Sequence, residues 1–130
     1  MKKFALGILV FSYTGAFAQK HIDINKINIP TDKPINIVKL GEDSMCSTFA
    51  ISIKNEVKLH KHVKHTENVY VIEGTGILTL GDSTFSVKPG DYFFIPKNTA
   101  HGMKVTSSSP VKILSVQSPS FDGTDREFIK

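Results

Sequence analysis

The chain has 130 residues, 40% of them hydrophobic, a net charge of +4 and one cysteine. That length sets a single globular domain as the expectation, and a lone Cys46 excludes an intramolecular disulfide. Arg126 is the only arginine, and without an arginine-rich stretch the composition argues against a nucleic-acid partner.

Residues 1–18 read as a secretory signal. Lys2 and Lys3 form a basic start, and an apolar run follows that Ser12, Thr14 and Gly15 interrupt before it reaches membrane-spanning length. Ala16-Phe17-Ala18 before Gln19 is a small-x-small cleavage site. The competing reading is an uncleaved anchor helix. Cleavage would leave 112 residues and lower the net charge to +2 as Lys2 and Lys3 depart. The expected location is periplasmic or secreted, with no stable membrane association after cleavage.

Residues 19–34 are polar apart from isolated isoleucines, contain Pro30 and Pro34, and read as an arm or an edge strand. Turn signals then recur about every ten residues. They separate apolar runs at 35–40, 48–53, 69–72, 77–80, 84–87, 92–95, 101–105 and 111–116. Gly81-Asp82 is a two-residue hairpin signal. No segment keeps a helical period and no internal repeat is evident. The expectation is all-β, a sandwich or barrel. Met45 and Phe49 mark Cys46 as a small buried hydrophobe. Tyr92, Phe93 and Phe94 are expected to be mostly core. The tail, 118–130, has Phe121, Phe128 and Ile129 among charges, which suggests docking on the barrel or on a second subunit.

The chemistry concentrates between residues 60 and 101. In a strand, His60 and His62 point to one face, side by side for chelation. Glu67 lies an odd number of residues further on, so a turn or bulge at 63–66 must reset the parity before it can join them. His101 must come from a distant strand. Three imidazoles and a carboxylate suit a divalent transition metal. Lys58 shares parity with His60 and reads either as an inward anion binder or as a solvated rim residue. His65 reads as a catalytic acid/base at the barrel mouth or as an exposed loop residue.

The stretch HKHVKHTENVYVIEG places His60, His62, Glu67 and Gly74 in the register of the first motif of the cupin superfamily, which the chain resembles over residues 35–117. The stretch GDYFFIPKNTAH resembles the second motif, with Gly90, Pro96 and His101 in register. Lys54 departs from the first motif and Asn98 from the second, each standing where glycine is usual, and Val105 stands in place of a trailing asparagine of the second. Asn tolerates a left-handed backbone, so the turn at Asn98 can survive. The resemblance implies a double-stranded β-helix, or jelly roll, with His60, His62, Glu67 and His101 as ligands of one divalent transition metal. Fe, Mn, Ni, Zn and Cu are not distinguished. It also implies pairing into a homodimer, for which the arm and the tail supply apolar groups.

The fold hosts many functions. One expectation is a metal-dependent enzyme, dioxygenase, isomerase or lyase in type, acting on a sugar acid or phenolic. The other is a non-catalytic protein that binds a carbohydrate or small metabolite, with a structural or recognition metal. If the N-terminal reading is right, intact-mass measurement of exported protein will find Gln19 first; a retained Met1 would refute it.

Overall fold

The computed structural model describes residues 20–130; the expected signal segment, 1–18, lies outside the described residues. Ten strands alternate with short turns: β1 (Ile35–Glu42), β2 (Ser47–Ile53), β3 (Glu56–Lys61), β4 (Thr66–Glu73), β5 (Gly76–Leu80), β6 (Ser83–Val87), β7 (Tyr92–Ile95), β8 (His101–Val105), β9 (Val111–Ser118) and β10 (Glu127–Phe128). They form two five-stranded sheets, ordered β1-β2-β9-β4-β7 and β10-β3-β8-β5-β6. Insertion of β9 between β2 and β4, and of β8 between β3 and β5, makes this a jelly roll and not a meander. Every expected apolar run lies within a strand.

The two sheets face each other, and their inner residues form the core. Ile53, Val69, Val71, Leu78, Val87, Ile95, Met103, Val111 and Ile113 make one buried cluster. Burying an aliphatic side chain of this size contributes about 1.5–3 kcal/mol. The alternation is clearest on β9, where Val111, Ile113, Ser115 and Gln117 are buried in turn.

Several expectations need correction. Of the three aromatics on β7, only the middle one, Phe93, faces inward; Tyr92 and Phe94 are more than half exposed. Strand alternation sends neighbours to opposite faces, so a continuous aromatic run cannot be all core. Cys46 is half-buried, because Asp43 Oδ1 accepts the amides of Met45 (2.8 Å) and Cys46 (3.1 Å) in a tight turn. Residues 20–34 contain no strand, only a 3-10 turn at Ile24–Lys26, so the segment is an arm that buries Ile29.

Two backbone details position the histidine-bearing segments. Asn98 has φ 59°, and its amide donates to the His62 carbonyl at 2.7 Å. The departure from glycine is therefore accommodated, and the β7–β8 turn is tied to the loop after β3. On β8, a Cβ added at Gly102 would meet the Val57 carbonyl oxygen at 2.8 Å and Leu59 Cα at 3.1 Å. The register of β3 against β8 shifts between Val57 and His60, so Val57 pairs Met103 and His60 pairs His101. Gly102 makes room for that irregularity. Gly102→Ala should lower stability by about 1–3 kcal/mol, the usual effect of overpacking, as read from the urea midpoint. An unchanged midpoint would mean that β3 relaxes freely.

Candidate metal centre

Three separate stretches deliver the four residues. His60 lies near the end of β3, His62 just beyond it, Glu67 near the start of β4 and His101 at the start of β8. The chain between β3 and β4 turns at 62–65, which resets the parity so that Glu67 joins the histidines. One ring nitrogen from each of His60, His62 and His101 lies within 4.8 Å of the other two. Glu67 Oε2 is 3.3 Å from His101 Nε2 and 3.5 Å from His62 Nε2. All four side chains are buried.

The tautomers follow from the hydrogen bonds. His60 Nδ1 lies 2.8 Å from the Lys58 carbonyl oxygen, His62 Nδ1 2.5 Å from that of Asp125, and His101 Nδ1 2.9 Å from that of Thr99. A carbonyl only accepts, so each Nδ1 carries the proton and donates it. Each ring then turns its Nε2 toward the site. A main-chain carbonyl on the far nitrogen is the usual support of a metal-binding histidine. Glu67 is oriented in the same manner. Its Oε1 accepts from Ser115 Oγ at 2.5 Å and faces Gln117 Nε2 at 3.5 Å, leaving Oε2 toward the histidines. His101 Nε2 is buried without a hydrogen-bond partner, because its approach to Glu67 is poorly aligned. A buried nitrogen lone pair, two further imidazoles and a carboxylate fit a divalent cation with N/O preference, so the three buried histidines could hold a metal ion.

Electrostatics separate two of the histidines. Burial, and then the neighbouring His101, lower His60 to a pKa of about 4. Burial also opposes charge on His62, yet the Glu67 carboxylate and the Asp125 carbonyl outweigh it and raise its pKa. Burial disfavours ionised Glu67, but contacts from His101, His62 and Ser115 hold its carboxyl well below the usual range.

The site opens on a cavity of about 510 Å³ inside the barrel. Most of the wall is apolar, from residues such as Ile51, Val69, Leu78, Phe93 and Met103; Gln117, Lys58, Lys104 and Arg126 also line it. Lys58 reaches the cavity although its side chain is largely solvated. The parity that would align it with His60 is broken at the β3 irregularity. His65 differs from both sequence readings: it is buried, and it does not line the cavity. Its Nδ1 meets Asp125 Oδ2 at 2.5 Å and its Nε2 meets the Ser120 carbonyl at 3.1 Å. It fastens the tail to the loop.

Asp125 escaped the sequence reading altogether. Besides orienting His62, its carboxylate accepts the amides of Val63, Lys64 and His65 at 2.7–3.1 Å. Nothing local in the sequence signals this, because the partners are some sixty residues apart. Ser115 and Gln117 did leave a trace: they are polar residues at the inward parity of an otherwise apolar strand.

Comparisons with known proteins agree with this architecture. A family model described as Cupin domain matches residues 49–117. An uncharacterized protein of Methanocaldococcus jannaschii is 33% identical over 95 residues, covering 73% of this chain and 75% of the relative. An L-ectoine synthase of Hyphomonas neptunium is 31% identical over 90 residues, 66% of this chain and 67% of that protein. Among solved structures, KdgF from Halomonas sp. superposes with a TM-score of 0.70 at 18% identity, over 81% of this chain and 97% of that one.

The lowered pKa of His60 has a consequence for the metal-free protein. Between about pH 6.5 and 4 the unfolded chain protonates this histidine and the folded chain resists, so unfolding takes up a proton and stability falls as pH falls. The full shift corresponds to at most about 3 kcal/mol. Urea unfolding in EDTA across this range should show the loss, and His60→Gln should flatten it. An unchanged pH slope in the variant would assign the loss to other groups.

Proposed function

The chain belongs to the cupin superfamily, and from that premise we propose that His60, His62, Glu67 and His101 hold one divalent transition metal and that the protein is a metal-dependent enzyme acting on a small oxygen-rich molecule, a sugar acid or phenolic. The observation that carries the reading is the set of three imidazoles, each with its Nδ1 proton held by a main-chain carbonyl and its Nε2 directed at the site. A bound metal would act as a Lewis acid or redox centre for a substrate oxygen. The chain's own residues do the rest. Ser115 holds Glu67 so that one oxygen faces the site. The apolar cavity wall excludes water, and Gln117, with its Oε1 buried and unpaired, offers a polar contact. The L-ectoine synthase likeness supports an enzyme.

One observation favours the second reading, a non-catalytic protein that binds a carbohydrate or small metabolite. His65, the histidine beside the site that is not among its four converging residues, is locked to Asp125 and Ser120 outside the cavity. Turnover in a metabolite screen supports the enzyme; binding without turnover supports the second reading. We extend the proposal to export through segment 1–18 and to a homodimer, for which the exposed Ile22, Phe128 and Ile129 of the arm and tail supply apolar surface.

Elemental analysis of protein purified from its native compartment should find about one transition metal per chain, the number one four-ligand site holds. Ser115→Ala should weaken metal affinity about 10–100-fold, as loss of a supporting hydrogen bond to a ligand does. His101→Ala should lose the metal. No uptake by the unmodified protein would overturn the proposal.

A further inference from the structure

The cavity has a polar end and an apolar body, and the charge around it is unbalanced. Apart from the histidines, its charged lining is Lys58, Lys104 and Arg126 against Glu56 and Glu67. Glu67 is already turned toward His62 and His101. A bound divalent metal would add further positive charge. A cleft with this excess and low-dielectric walls concentrates anions.

Arg126 is the best-placed of the three cations. Among the described residues its guanidinium has no ion pair and no hydrogen bond, whereas Glu127 next to it pairs with Lys61 at 3.5 Å. Its backbone is held from both sides. Asp125 before it accepts the His62 Nδ1 proton through its carbonyl. Beyond it, Glu127 and Phe128 pair in antiparallel register with Lys61 and His60. The Arg126 amide donates to the Thr124 carbonyl at 2.9 Å. The backbone that carries this forked cation is thus held within one residue of contacts to two of the histidines, and the exposed side chain lies between the cavity and solvent. Its fork matches a carboxylate in bidentate fashion.

The body of the cavity selects against a polyhydroxylated ligand. Hydroxyls pressed against Val69, Leu78, Phe93, Ile95 and Met103 would lose water without gaining partners. An aromatic or branched aliphatic group buries well there.

We infer that the cavity takes a small organic carboxylate with an apolar or aromatic body, its carboxylate held by Arg126 and its body packed against Phe93, Val69 and Met103. This rests on the proposed reading of the cavity as a small-molecule site and narrows its substrate class to phenolic and related aryl or alkyl acids, away from sugar acids. Arg126 is the residue that sets this specificity.

Calorimetric titration of the protein, in zinc and again in EDTA, tests the inference with three probes: benzoate, its neutral counterpart benzyl alcohol, and gluconate as a polar acid. Benzoate should bind at least about tenfold more tightly than either of the others. Arg126→Gln should weaken benzoate about tenfold or more and leave benzyl alcohol unchanged. Arg126→Lys keeps the charge without the fork and should fall between. Because the guanidinium has no partner in the fold, both variants should retain the parent's urea midpoint and zinc content. Equal binding of benzoate and benzyl alcohol, preference for gluconate, absence of benzoate binding, or an unaltered benzoate affinity in Arg126→Gln would each overturn the inference. Arg126-dependent benzoate binding in a protein that takes up no metal would keep it and remove only the metal reading. Zinc uptake without such binding would do the reverse.

Discussion

An ionised carboxylate buried at one end of an apolar barrel is the constraint on which the rest of the structure depends. Glu67 would be expensive to keep charged without compensation. Ser115 hydrogen-bonds one of its oxygens and two imidazoles approach the other. Both imidazoles are oriented by Nδ1–H donation to main-chain carbonyls, so each turns its Nε2 toward the carboxylate. Ring nitrogens and a carboxylate oxygen converging on one point form an arrangement that a cation at the centre would satisfy. The partnerless Nε2 of His101 is the local sign of this.

The barrel builds this centre by changing the character of its strands at one common end. On β4 the inward residues run Val71, Val69, Glu67; on β9 they run Val111, Ile113, Ser115, Gln117; on β8, Met103 is followed inward by His101. Register aligns the polar ends: Glu67 pairs Gln117, and His60 pairs His101. The apolar halves supply the core stability that lets the polar halves stay buried. The same division leaves a cavity with an apolar body and a metal-competent end.

The C-terminal tail completes the site from outside the barrel. Phe121 is buried, with its ring 5.4 Å from His62 and 5.1 Å from His65. The Asp125 carboxyl stays well below the usual range; burial disfavours its charge, but the His65 ring and the amides of Lys64 and Val63 outweigh it. One residue thereby pins the loop between His62 and Glu67 and orients His62. Arg126 follows it directly, so the placement of the cation at the cavity is a by-product of the clamp that holds the loop.

Local pattern was enough for much of this. Period-two alternation between recurrent turn signals specified strands and an all-β fold, because each strand must put one face in the core. The spacing of His60, His62, Glu67 and His101, with the need for a turn before Glu67, was legible because those residues carry their chemistry in their identity. What lay beyond reach depended on contacts between distant segments. The β3 irregularity opposite Gly102 decides that Lys58 does not share the inward parity of His60. The place of His65, buried and fastened to the tail, was decided by Asp125 and Ser120, far along the chain. The positions of Ser115 and Arg126 at the site follow from strand order, which places β9 beside β4 and β10 beside β3. A sequence determines which faces and donor groups exist. Only folding brings carbonyls, carboxylates and cations from separate strands within hydrogen-bonding distance, and those distances set tautomer, charge and access.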